Sequence, residues 1–135
     1  MSHFATLIRL FDSAPIKHSF GMELSYREDG RAVFDLPYNS KLNHALGDTH
    51  GGIIATLLDN AGWFTVAAHY GMWVVTVDLN IHLLEGAGQS DLVAVGRLVR
   101  AGKKLAVADM EVRSKKGSLI AIGSGSFSVT SKSIT

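Results

Sequence analysis

The amino-acid sequence predicts an α+β fold in which an antiparallel sheet wraps around one long central helix, with a short helix at the N-terminus. Three observations support this prediction: a segment, 51–69, that is apolar or small nearly all the way round, several segments of alternating polarity, and short turns between consecutive strands. The chain has 135 residues, of which 47% are hydrophobic and 19% charged. That composition and length are typical of one globular domain, which we expect to span 1–135.

The first elements are a helix and a β-hairpin. Four apolar residues recur at helical spacing and are expected to share one face: Phe4, Leu7, Ile8 and Phe11. Pro15 is expected to end this helix. Alternating segments over 22–26 and 32–36 predict two strands, and Asp29-Gly30 between them is a hairpin signal.

The second half of the chain predicts the buried helix and four more strands. Residues 51–69 form the helix, with Gly71 at the position of a C-terminal cap. The next strand is expected to place five apolar residues on one face: Val75, Val77, Leu79, Ile81 and Leu83. Strands over 91–101, 104–114 and 118–129 follow with short turns, which predicts an antiparallel meander. A helix that is apolar on most sides must be buried, and in a domain of this size only the sheet can cover it. Apolar surface that stays exposed on the helix or the sheet would need a second subunit, so we expect a homo-oligomer.

Composition excludes several classes of function. Thirteen basic against 12 acidic residues give a net charge of +1, so no excess charge is available for nucleic-acid binding. The absence of cysteine excludes disulfides, a thiolate nucleophile and cysteine-ligated zinc. Asp59 and Asn60 interrupt the most apolar stretch, so we expect neither a membrane span nor a membrane partner. The absence of cysteine favours a reducing, cytoplasmic location. His44 and His50 have no acidic pair at ligand spacing, so no metal site is expected.

Asp59 is the unusual residue of the predicted buried helix. Burying an ionised carboxylate costs several kcal/mol unless it is paired, and no basic residue lies three or four positions away. One interpretation is a polar contact at a subunit interface or at the edge of the helix. The other is a general base or nucleophile whose pKa is tuned by burial.

The start of the same helix carries two glycines. Gly51 and Gly52 leave backbone N–H groups open at the positive end of the helix dipole, which suits an oxyanion hole or simply a tight entry into the helix. His50 either caps the helix or packs, and Asn43 is expected to satisfy loop backbone.

Together these segments resemble the hotdog-fold acyl-CoA thioesterases, and most closely the phenylacetic-acid-degradation (PaaI-like) branch of the 4-hydroxybenzoyl-CoA thioesterase superfamily. The resemblance rests on His50-Gly51-Gly52, Asp59-Asn60-Ala61, 76–80 and the basic turn 100–105. It implies a hotdog fold and hydrolysis of an acyl-CoA thioester to a carboxylic acid and free coenzyme A. It also implies dimers paired edge to edge, often two per homotetramer, with the active site between subunits.

The resemblance also implies roles for individual residues. Asp59 matches the catalytic acid, the N–H of Gly51 the oxyanion donor, and Thr76 a residue that holds the attacking water. His50 and Asn43 would position the thioester, although family members commonly place the asparagine six residues before the histidine and here it is seven. Substrate contacts are expected at the following residues: Gly52, Arg100, Lys103 and Lys104. For the last three, a solvated hairpin is the alternative. Coenzyme A enters only as part of the substrate, and no other cofactor is implied.

Two other functions remain open at this stage. The same fold could serve as a non-catalytic acyl-CoA-binding module, although such a module has no need of a buried acid near a thioester. It could also serve as a hydratase or dehydratase, but those enzymes pair a catalytic histidine with an acid in a different arrangement. Asp59 therefore favours the thioesterase.

Overall fold

A computed structural model describes residues 2–135 and shows one six-stranded sheet with a long helix against it. Three helices lie at α1 (Ser2–Asp12), α2 (Pro15–Phe20) and α3 (Gly51–Tyr70), and a 3₁₀ turn lies at Ser40–Leu42. The strands are β1 (Glu23–Tyr26), β2 (Ala32–Leu36), β3 (Met72–Leu83), β4 (Leu92–Ala101), β5 (Leu105–Ser114) and β6 (Leu119–Ser133). The predicted fold class is confirmed.

The helix α2 is a difference from the prediction. The first helix ends at Asp12, and Pro15 begins a second helix instead of only ending the first. Proline suits a first helical position, because the N–H that it lacks would have no partner there and its φ is already helical.

The strand order also differs from a simple meander. All neighbouring strands are antiparallel, in the order β1-β2-β4-β5-β6-β3. Consecutive strands β4, β5 and β6 do form a meander, but β3 pairs with β6 and not with β4. The strand that follows the long helix therefore lies at one edge of the sheet, and no strand of the described chain pairs with its outer side.

The long helix α3 packs close against the sheet. Leu57, Leu58 and Ala61 are fully buried beneath it. A Cβ added to Gly96 of β4 would lie 2.2 Å from the carbonyl oxygen of Ala61, so only glycine permits this approach. Gly71, with a left-handed φ of +68°, caps the C-terminal end of the helix, as the sequence predicts.

The prediction that β3 carries its apolar residues on a single face is wrong. The register of β3 against β6 shifts at Val77, where a β-bulge adds one residue. Because side chains alternate, one extra residue inverts the facing of everything beyond it. Val75 and Val77 are therefore 49% and 59% exposed, whereas Leu79 and Ile81 pack against the core. Before the bulge it is Thr76 that faces α3.

Within residues 2–135, no helix combines the length and apolarity that crossing a membrane requires.

Candidate active site

Asp59, in the middle of α3, contacts Thr76 of β3. The hydroxyl of Thr76 donates a hydrogen bond of 2.8 Å to Oδ1 of Asp59. Burial raises the pKa of the half-buried Asp59 carboxyl above its usual value, and the hydrogen bond from Thr76 partly offsets that rise. Within the described chain, Oδ2 of Asp59 makes no hydrogen bond. The carboxyl group is thus oriented through one oxygen and open at the other.

Trp63 joins α3 to β3 one turn beyond Asp59. Its indole N–H donates to the carbonyl oxygen of Val74 at 2.8 Å, and its ring lies edge-on to Trp73 with centroids 4.9 Å apart. Trp63 follows Asp59 by four residues, so both lie on one face of α3.

The N-terminus of α3 offers one open backbone donor. His50 caps the helix, with its Nδ1 accepting the N–H of Gly52 at 2.8 Å. The N–H of Gly51, by contrast, makes no hydrogen bond within residues 2–135. A Cβ at position 51 would lie 2.9 Å from Cδ1 of Leu83, so this position has little room for a side chain. The N–H of Gly51 is therefore available to a ligand, and that of Gly52 is already used by the cap.

Asn43 belongs to the interior of the loop before α3. Its amide nitrogen donates to the hydroxyl of Tyr38 at 2.6 Å and to the carbonyl oxygen of Gly47 at 2.9 Å. Its Oδ1 is buried without a hydrogen-bond partner in the described chain. Both amide protons of Asn43 thus form hydrogen bonds within the loop and stabilise it.

The basic turn lies at the opposite end of α3. The hydroxyl of Tyr70, the last residue of the helix, donates to the carbonyl oxygen of Gly102 between β4 and β5. Arg100, Lys103 and Lys104 are exposed around this turn, and none of them forms an ion pair within residues 2–135. A shallow cavity of about 520 Å³ lies elsewhere, on the outer face of the sheet around Arg97 and Asp109.

One chain therefore brings only part of the predicted site together. Asp59 and Thr76 are in contact, and His50 and Gly51 adjoin each other at the helix start. The basic turn lies at the far end of a 20-residue helix, roughly 30 Å long. In the described part of the chain, no group of three or more histidines or acidic residues could hold a metal ion.

A carboxylate on the central helix of this fold, with an open N–H group at the helix start, suits the chemistry of acyl transfer. A sequence profile described as the thioesterase superfamily matches residues 46–121. The chain belongs to this superfamily and is a thioester hydrolase of the hotdog fold.

Individual relatives agree with this assignment. A candidate esterase of Halobacterium salinarum is 34% identical, over 93% of this chain and 91% of its own. Human acyl-coenzyme A thioesterase 13 is 31% identical, over 70% of this chain and 69% of its own.

Solved structures share the architecture. A Bacillus halodurans protein solved with CoA superimposes with a TM-score of 0.81 at 34% identity, over 96% of this chain and 89% of its own. The PaaI protein of the Escherichia coli phenylacetic acid degradation operon has a TM-score of 0.89 over 97% of this chain and 95% of its own. Its 17% identity makes this a likeness of fold alone.

Proposed function

We propose that this protein hydrolyses acyl-CoA thioesters, with Asp59 as the catalytic base or nucleophile and the N–H of Gly51 as the oxyanion donor. The main support is the half-buried Asp59 carboxyl, oriented by Thr76 and open at Oδ2, on a helix that is otherwise apolar around it. The human thioesterase and the CoA-bound Bacillus protein among its relatives point to coenzyme A as the thiol.

The chemistry needs only these groups and water. The ionised Asp59 either takes a proton from a water that attacks the thioester carbon, or attacks that carbon itself to form an anhydride that water then cleaves. Thr76 holds the carboxylate in place in both routes. The carbonyl oxygen gains charge at the positive end of α3, the C–S bond breaks, and the thiolate leaves to be protonated. We therefore propose no metal or redox cofactor.

The two halves of the site require two chains. Gly51 precedes Asp59 by eight residues, which is about 12 Å along the helix axis. The N–H of a first helical residue points out of the N-terminal end, so a bound oxygen would lie about 3 Å further away. Reacting atoms must approach within roughly 3–3.5 Å. We propose that Asp59 of one protomer and Gly51 of its partner act on the same thioester.

The open edge of β3 suits this dimer. Along the edge strand β3, whose outer side pairs with no strand of the described chain, three apolar residues are exposed: Trp73, Val75 and Val77. Unpaired strand edges readily accept another strand, and exposed apolar residues favour its burial. A homotetramer of two such dimers, of the PaaI-like kind, is the assembly we propose, with the Arg100–Lys104 turn meeting the phosphates of coenzyme A.

The decisive experiment compares Asp59→Asn with Asp109→Asn, using thiol release from several acyl-CoAs. Loss of a positioned base or nucleophile should lower kcat by on the order of 10²–10⁴-fold. Asp109 lies in an exposed ion pair with Arg97, so its variant controls for the loss of one acidic charge and should keep nearly full activity. Full turnover by Asp59→Asn would refute the catalytic role. Tight binding of acyl-CoA by the wild type without thiol release would instead favour the binding module.

A further inference from the structure

We infer that Asp78 is a positioning residue of the active site, whose carboxylate holds the β-bulge of β3 in the register that turns Thr76 toward Asp59. This inference rests on the proposed function and gives a role to a residue that the proposed chemistry does not use. It follows from the shift in register at the bulge, from the hydrogen bond that Asp78 makes across it, and from the contact between Thr76 and Asp59.

The bulge places two residues of β3 opposite one residue of β6. Thr76 pairs with Phe127 before the bulge, and Asp78 pairs with Ser126 after it. Val77 is therefore the extra residue. Val77 and Asp78 are both exposed, whereas regular alternation would place them on opposite faces. A bulge disrupts the hydrogen-bond ladder locally, and a side chain can supply the partner that the ladder loses there.

The carboxylate of Asp78 supplies such a partner. The backbone N–H of Ser126 donates to Oδ1 of Asp78 at 3.1 Å, so one member of the pair beside the bulge binds the other through its side chain. A hydrogen bond from an N–H to a carboxylate is roughly twice as strong as one between neutral groups. Asp78 forms no ion pair within residues 2–135, so its carboxylate is available to stabilise the bulge.

The bulge decides which way Thr76 faces. Leu79 packs against the core, and regular alternation back along the strand would place Val77 inward and Thr76 outward. The extra residue inverts that facing, so the hydroxyl of Thr76 reaches Oδ1 of Asp59 at 2.8 Å. A strand without the bulge would expose Thr76 and leave the Asp59 carboxyl without this donor.

Asp78 acts from the face of the sheet opposite to the site. After the bulge, Leu79 faces the core and Asp78 faces away from it, so the Asp78 carboxylate does not itself reach the thioester. Its effect on catalysis therefore passes through Thr76. A residue that acts only through the hydroxyl of Thr76 has no further effect once that hydroxyl is removed, and a double-mutant cycle measures this property.

The first test is this cycle, with thiol release from an acyl-CoA as the readout. Asp78→Ala removes the acceptor and should lower kcat by on the order of 10–100-fold, because small misplacements of a catalytic group are costly. Asp78→Asn removes the same charge but keeps an oxygen at the position of Oδ1, so it should retain most of the activity. In a Thr76→Val background, which lacks the hydroxyl, Asp78→Ala should lower kcat no further.

The pH profile of kcat/KM shows whether the loss acts on Asp59. The hydrogen bond from Thr76 lowers the pKa of Asp59, so its loss should move the acidic limb of the profile to higher pH, equally in Asp78→Ala and Thr76→Val. Loss of the Asp78 charge alone would move the limb the other way, because a negative charge near the carboxylate would be gone. Asn80→Ala, two residues further along β3 where the pairing is regular, should leave kcat and the limb unchanged.

Three outcomes would overturn the assignment: wild-type kcat in Asp78→Ala, an equal loss in Asp78→Asn, or an equal loss when the hydroxyl of Thr76 is already absent. Asp59→Asn and Thr76→Val, measured alongside, separate this failure from that of the proposed function. If Asp59→Asn keeps full turnover, the function is wrong. If Asp59→Asn and Thr76→Val are impaired and Asp78→Ala is not, only the role of Asp78 is wrong.

Discussion

At the scale of single residues, Asp59 is a compromise between burial and ionisation. The helix around it is apolar, so the ionised form is poorly solvated, and the hydroxyl of Thr76 returns part of that solvation through one oxygen. A carboxyl group with a raised pKa is a stronger base once it has ionised. The group that we propose for catalysis is therefore one that the folded state accommodates at a cost.

This cost predicts that Asp59→Asn is more stable than the wild type at neutral pH. Because the pKa of Asp59 is raised in the folded protein, the folded state binds more protons than the unfolded state, between the ordinary carboxyl pKa and the raised one. Stability therefore falls as pH rises through that window, and it is fully retained below it. We expect the variant to melt a few degrees higher at pH 8, with the difference shrinking toward pH 4.

Thermal melting of both proteins between pH 4 and 8 makes this measurement, and Asp109→Asn controls for the change in net charge. Equal melting temperatures of wild type and Asp59→Asn across the range would mean that burial does not penalise this carboxylate.

At the scale of elements, α3 could be predicted closely and β3 could not. The sequence shows where α3 begins and ends, because His50 caps its start and Gly71 caps its end. The small residues of the helix also indicate its close packing. The apolar alternation of β3 instead suggests one continuous face. A bulge at Val77 leaves no mark in such a pattern, because it depends on the register of the partner strand.

The same limit applies to the loop before α3. Sequence spacing brings Asn43 forward as a site residue, and only the pairing of Asn43 with Thr49 shows that its side chain turns inward. In contrast, the family resemblance assigns Thr76 to the site. The predicted alternation of β3 conflicts with this, because it places Val75 and Val77 toward α3 and Thr76 on the opposite face. The bulge at Val77 explains how both Thr76 and Leu79 face the core, although they are three residues apart.

The β4–β5 turn carries its own prediction. Lys103→Ala and Lys104→Ala each remove an exposed charge proposed to meet phosphates, a contact worth about 1 kcal/mol or less at moderate salt. Each should raise KM several-fold and leave kcat nearly unchanged, because this binding is common to the ground and transition states. The effect should diminish as salt is added.

A truncated thioester with a pantetheine-like arm and no nucleotide phosphates provides the control, and both variants should hydrolyse it like the wild type. An equal loss with truncated and complete substrates would mean that these lysines act on the turn itself and not on the phosphates.

At the scale of the whole molecule, the proposed function depends on the proposed assembly. We expect Val75→Lys, which places a charge on the open edge of β3, to disrupt the proposed dimer and to lower kcat by on the order of 10²-fold. The physical reason is that a monomer separates Asp59 from any N–H of Gly51 that could serve the same carbonyl, and loss of one oxyanion donor costs about that much.

Sedimentation velocity and thiol release on the same samples test this expectation. Ile16→Lys, a similar change at an exposed position of α2, should keep both the assembly and the activity. A monomeric Val75→Lys protein with full activity would show that one chain holds the complete site.

The bulge at Val77 has a consequence for how this protein chooses its partners. A flat, apolar edge strand is a template on which any extended chain can add, and this is how many proteins begin to aggregate. In β3 the regular spacing of the backbone N–H and C=O groups is interrupted at Val77. A regular strand from another protein therefore loses its hydrogen-bond register when it passes Val77. A second copy in antiparallel orientation carries the same irregularity, related by two-fold symmetry. In the proposed dimer, this edge would therefore pair with a second copy of the chain more readily than with an unrelated strand.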